Sequence, residues 1–168
     1  HDNDVRKQAE ATYQGLIMNQ MTDTLIHLTQ CFIDTTVDPI SRSMTGILLR
    51  RSIEKNGESI DESTIKYINE TLMKVWSYER NKVILTRLSH IMCQLAVFSS
   101  SIETLTFILD SSAAIEDPMD RKQLLPAILN FIEIFCDYCP ESINSSYVRL
   151  VKYLSMLIAD DQFEVQVA

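Results

Sequence analysis

The chain has 168 residues, 46% hydrophobic and 23% charged, a balance that supports one sizeable core. Three Gly and four Pro are too few to punctuate sheets and hairpins, so the composition points to helices. The formal charge of −8 argues against a nucleic-acid partner, whose phosphates call for clustered Lys and Arg, and suits solubility or a basic partner.

The periodicity predicts a first helix over about Asn3 to Met18, with Val5, Ala9, Tyr13 and Leu16 on one face. A second, about Gln20 to Thr35, repeats the pattern in Met21, Leu25, Leu28 and Phe32. Asp38-Pro39 restarts the chain, because Asp caps a helix and Pro is pre-organised for its first position. Ile40, Met44, Ile47 and Leu48 form the expected stripe of this third helix. Asn56-Gly57 breaks it, and Ser59 with Glu62 has the spacing of a capping box. The fourth helix carries Ile65, Ile68, Leu72 and Val75.

A fifth helix is expected within Ser77 to Ser99, aligning Ile84, Leu88, Ile91, Leu95 and Phe98. Ser100 and Glu103 repeat the capping box, and a shorter sixth helix carries Leu105, Ile108 and Leu109. Asp117-Pro118 is a second restart. Pro126 then either kinks the seventh segment or marks its start, since it has no backbone N–H to donate. Leu125, Ile128, Ile132 and Phe135 follow its face, and Cys139-Pro140 ends it. The eighth helix, about Asn144 to Ala159, aligns Tyr147, Val151, Leu154 and Ile158. Asp160-Asp161 interrupts, and Phe163-Glu164-Val165 begins a ninth.

The odd-numbered helices recur at roughly 35–45 residues, the period of HEAT and armadillo arrays. The expected fold is all-α, an α-α superhelix (solenoid) of about four HEAT-type hairpins over residues 3–35, 38–76, 77–115 and 117–160, with a fifth starting at 162–168. Full burial stabilises by roughly 1.5–3 kcal/mol per large aliphatic side chain, while ordering the backbone costs about 1–2 kcal/mol per residue. A lone hairpin does not recover that cost, whereas stacked hairpins covering each other's faces do. We expect the chain to be the N-terminal fragment of something longer.

No apolar run approaches the ~20 residues a membrane span needs. The scatter of Cys31, Cys93, Cys136 and Cys139 in apolar helices suggests reduced intracellular thiols. Cys136-Asp137-Tyr138-Cys139 sits at a helix C-terminus, where the dipole raises rather than lowers a thiol pKa, so it reads as helix-end thiols rather than a redox pair. No second ligand pair with zinc spacing lies near it. His27 and His90 read as ordinary histidines on separate helices, and Asp160, Asp161 and Glu164 as a solvated boundary rather than a magnesium cluster. Arg50-Arg51 either meets an acidic partner or complements the helix C-terminal dipole. Trp76 and Tyr78 are partner anchors or packing between repeats, and the Met residues fill core gaps. With no phosphate-cradling Gly loop and no nucleophile elbow, neither an enzyme nor a cofactor or metal is expected.

Asp4-Val5-Arg6-Lys7-Gln8-Ala9-Glu10 resembles the opening of the importin-β N-terminal domain, where an Arg-x-x-Ala-Glu helix begins the first HEAT repeat. Met44-Thr45-Gly46-Ile47-Leu48-Leu49-Arg50-Arg51 is similar to the small-residue, Leu-Leu-Arg helix of that family's second repeat, closest to the importin-5 type of karyopherin. Leu124-Leu125-Pro126 and Phe131-Ile132-Glu133-Ile134 also read like karyopherin repeats. The signature lies in about the first 55 residues, and the family-like region spans about 3–76. The chain departs from the pattern in lacking an aromatic-Pro linker near Ser99 and in a slightly long stretch from Glu54 to Ile60.

This resemblance implies a nuclear transport receptor, shuttling between cytoplasm and nucleus, with three kinds of partner. The small GTPase Ran in its GTP form binds the concave side through second helices. Cargo proteins with basic signals bind further along, and nucleoporins dock on the convex side. Placement by helix puts Met21 to Thr35 and Asp61 to Trp76 toward Ran, with Thr24, His27, Gln30, Lys66, Asn69 and Lys74 as the favoured contacts. The alternative is a non-transport HEAT-repeat scaffold organising a multi-subunit complex.

Overall fold

The structure, a computed structural model, describes residues 2–99 and 101–159. Among these residues there are eight α-helices and no strand. They are α1 (Asp2–Asn19), α2 (Met21–Ile33), α3 (Pro39–Asn56), α4 (Glu62–Tyr78), α5 (Lys82–Ala96), α6 (Ser101–Ala113), α7 (Pro118–Tyr138) and α8 (Pro140–Ala159), with a single 3₁₀ turn at Gly57–Ser59. No described helix is long and apolar enough to cross a membrane. The ninth helix expected after Asp160-Asp161, and with it the fifth repeat at 162–168, falls outside the described residues, as do the carboxylates of Asp160, Asp161 and Glu164.

The helix starts follow local chemistry. Asp38 accepts from the backbone N–H groups of Ile40 and Ser41 with Pro39 following it, and Asp117 accepts from Met119. Both Asp-Pro restarts therefore cap helices as the sequence suggests. The capping box at Ser59 does not form. Ser59 ends the 3₁₀ turn, and Asp61 caps α4 instead, accepting from Thr64 N at 2.8 Å. Three residues, Ser63, Thr64 and Thr22, donate to that carboxylate, and they hold its pKa far below the usual carboxylate range. Ser100 lies outside the described residues, so the second capping box does too. α4 runs through Ser77 to Tyr78, and the fifth helix begins only at Lys82, capped by Asn81. α7 continues through Pro126 rather than starting there. α8 begins at Pro140, earlier than the periodicity places it.

The closely packed helix pairs all lie one or two places apart in chain order. One row runs α3–α5–α7 and a second runs α2–α4–α6–α8, while α1 packs on α2. Gly46 allows α3 to approach both α2 and α5 closely, because a Cβ there would stand 2.8 Å from the Phe32 ring and 3.3 Å from Arg87 Cβ. α5 occupies the centre, and every residue from Ile91 to Ala96 is buried. Trp76 of α4 meets Phe131 of α7 edge-on at 5.8 Å, and Phe131 stacks on Phe135 within α7 at 5.6 Å.

The buried faces of α2, α4, α5, α6 and α7 match the periodicity, but three stripes do not. On α1, Val5, Ala9 and Leu16 are exposed and Tyr13 is half-buried. On α3, Ile40 and Met44 are exposed, and the buried positions are Arg42, Gly46, Leu49, Ser52 and Ile53. α3 is packed by α2 on one side and α5 on the other, so its buried surface takes in polar and small residues that an apolar count passes over. On α8, Tyr147 and Val151 are exposed, while Leu150 and Tyr153 turn inward.

The turns between α2 and α3, α4 and α5, and α6 and α7 are tied together. Arg42 donates from Nε to Phe32 O at 2.8 Å and from Nη2 to Glu79 Oε2 at 2.5 Å. The other Glu79 oxygen accepts the backbone N–H groups of Arg80 and Asn81. Arg80 reaches Asp120 at 3.4 Å, and Arg121 donates to Ile115 O, as Arg42 does to Phe32 O. The Arg42–Glu79 pair is nearly dry, its side chains 5% and 8% exposed.

Candidate partner-binding surface

Five of the six residues favoured for contact with Ran are open to solvent to some degree. His27, Gln30, Lys66 and Lys74 are exposed and Thr24 is half-buried. Asn69 is not available. It is buried in the α4–α6 contact, where Nδ2 donates to Thr104 Oγ1 at 3.4 Å, because its position on α4 faces the next helix of the row. The five do not form one cluster. Thr24 and His27 line a groove of about 790 Å³ between α1 and α2, together with Val5, Ala9, Leu16 and Leu28. Lys66 and Lys74 lie on α4, away from that groove.

The groove explains why the first helix shows a clear apolar face that the core does not use. Val5 is 63% and Leu16 45% exposed, whereas Ile17, on the side of α1 that faces α3, is buried. The polar contribution to the groove is slight: His27 Nδ1 is bonded to Asp23 O within its own helix.

The α3–α5 side carries a different chemistry. Arg87 donates to Ser43 at 3.1 Å. Arg50 meets Glu54 at 3.4 Å and donates to the Tyr138 hydroxyl at 3.3 Å. His90 lies within electrostatic reach of both arginines, and burial first, then Arg50 and Arg87, pushes its pKa down. Arg50 and Arg51 are not in the last turn of α3, which ends at Asn56 with Lys55 its only basic residue. Complementing the dipole is therefore not their role.

Trp76 is not a partner anchor. It is 2% exposed against Phe131, whereas Tyr78 is open. Cys136 is exposed and Cys139 buried, with buried Cys93 of α5 close enough to interact with both. Burial raises the pKa of all three, so the thiol form dominates and nucleophilic attack is disfavoured. Among the described residues, no group of three His, Cys, Asp or Glu is placed to hold a metal ion.

Sequence reasoning missed the cationic side of α3 and α5, apart from the Arg50-Arg51 pair. Its signal is Arg50 and Arg87, cations on two helices of an acidic chain. No family model matches the chain, and no curated protein or solved structure is significantly similar to it.

Proposed function

We propose that this chain is part of a nuclear transport receptor of the importin-β type, built as an open superhelix of HEAT-class hairpins. In this reading it binds Ran-GTP and protein cargo and shuttles through nuclear pores. The observation that carries the reading is the pair of segments Asp4–Glu10 and Met44–Arg51, which resemble the first two repeats of that family and lie on α1 and α3. The neighbour-ordered packing supports it, because a surface built from sequential hairpins offers one partner many helices at once.

In the phase the two segments imply, the hairpins are α1–α2, α3–α4, α5–α6 and α7–α8, and Thr24, His27, Gln30, Lys66 and Lys74 lie on the second helices α2 and α4, the side this reading gives to Ran. Cargo release follows from competition and a change of curvature rather than from chemistry.

The test is a binding titration of the chain against Ran locked with GTP and against Ran loaded with GDP. The reading predicts clear preference for the GTP form. Equal or absent binding of the two forms contradicts it and leaves the HEAT-class scaffold.

A further inference from the structure

α1 does not pack along α3 as α3 packs along α5. Tyr13 bridges the gap, its hydroxyl donating to Leu48 O at 3.2 Å and bonded to Ser52 Oγ. The bridge lies in a cleft of about 940 Å³ between the two helices. Its lining follows helical spacing on both walls, from Arg6 to Ile17 on α1 and from Met44 to Asn56 on α3. At 1.5 Å per residue each wall is about 17 Å long, the dimension of a trough rather than of a small-molecule pocket.

The cleft has an apolar floor and a cationic rim. Tyr13, Ile17, Met44 and Leu48 supply the floor, and the one polar atom of the Tyr13 side chain is already satisfied within the protein. Arg6, Arg51 and Lys55 face a single carboxylate, Glu10, and that carboxylate is paired with Arg6 at 2.9 Å. Among the described residues, Arg51 and Lys55 have no ion-pair partner, and both are exposed. In a chain of net charge −8, two uncompensated cations beside an apolar trough are a local reversal of the prevailing field.

We propose that the α1–α3 cleft binds an acidic amphipathic helix of a partner protein. Its apolar side chains lie on Tyr13, Met44 and Leu48, and its carboxylates meet Arg51 and Lys55. Helix-in-groove recognition needs apolar anchors repeated every three or four residues, which matches the spacing of both walls. Charge on the rim sets which peptide is accepted and how salt weakens it, while the floor holds the apolar anchors. A nucleic acid is disfavoured by the acidic remainder of the chain. This inference does not depend on the transport reading, and its assay involves no Ran.

The test is fluorescence anisotropy with three labelled helical peptides. The first carries Leu on one face and Glu on the other. The second replaces Glu by Lys, and the third replaces Leu by Ser. We expect saturable, salt-sensitive binding of the first, with the other two weaker by about tenfold or more. Arg51→Glu with Lys55→Glu should reverse the preference toward the Lys peptide. Both positions are exposed, and a circular-dichroism melting curve checks that the fold is kept. Met44→Glu, at a position 56% exposed, is the second variant and should weaken the first peptide without reversing the charge preference. Absent saturable binding, equal binding of the Glu and Lys peptides, or indifference to the charge reversal overturns the proposal. Equal binding of the Ser peptide overturns its apolar half.

Discussion

At the scale of single residues, the Arg42–Glu79 pair ties two turns of the protein together. Burial alone would raise the Glu79 pKa. Hydrogen bonds from Asn81 N, Arg42 and Arg80 N, with the charge of Arg42, outweigh it and hold the carboxyl below its ordinary value. The folded state thus favours the carboxylate, and the stability this contributes is present above the unfolded carboxylate pKa of about 4.3. It is lost as pH falls through the lower folded value. Removing one partner leaves a buried charge uncompensated, so Arg42→Ala should cost about 3–5 kcal/mol in urea unfolding at neutral pH. The same variant should lose stability less steeply than the parent on acidification below about pH 4.3, since the pair is gone. A cost under ~1 kcal/mol would show that the pair behaves as a surface salt bridge.

At the scale of elements, the fold is legible in the sequence where one helix face meets one neighbour. α4 illustrates this: Ile65, Ile68, Leu72 and Val75 are all buried as their spacing suggests. It is not legible on α3, which is clasped from two sides and buries Arg42, Gly46 and Ser52. Periodicity counts apolar residues and has no measure of a close approach between backbones. Two glycines make the difference measurable. A Cβ added at Gly15 would meet nothing within 4 Å, so Gly15→Ala should stabilise α1 by about 0.5–1 kcal/mol through the gain in helix propensity. Gly46→Ala pushes a methyl to 2.8 Å from the Phe32 ring and should cost about 1–3 kcal/mol instead. Thermal melts of the two variants with opposite signs of shift meet this expectation, and equal signs contradict it. The candidate site is less legible than the fold for the same reason. Apolar residues of α1 and α3 that line clefts are indistinguishable in sequence from residues that line a core, and burial alone separates Met44 from Leu49.

At the scale of the whole molecule, the packing follows chain order. Close pairs reach one or two helices along, and individual side chains such as Trp76 to Phe131 and Arg50 to Tyr138 go further. An array of this kind should lose structure locally, because a helix at one end supports its neighbours and little else. The most direct test is hydrogen exchange followed helix by helix in the parent chain and in Tyr153→Ala, which empties a buried position of α8. Neighbour-ordered packing predicts faster exchange in α8, α6 and α7 with protection in α2 and α3 kept. A uniform loss of protection across all eight described helices would mean a single cooperative globule and would contradict it.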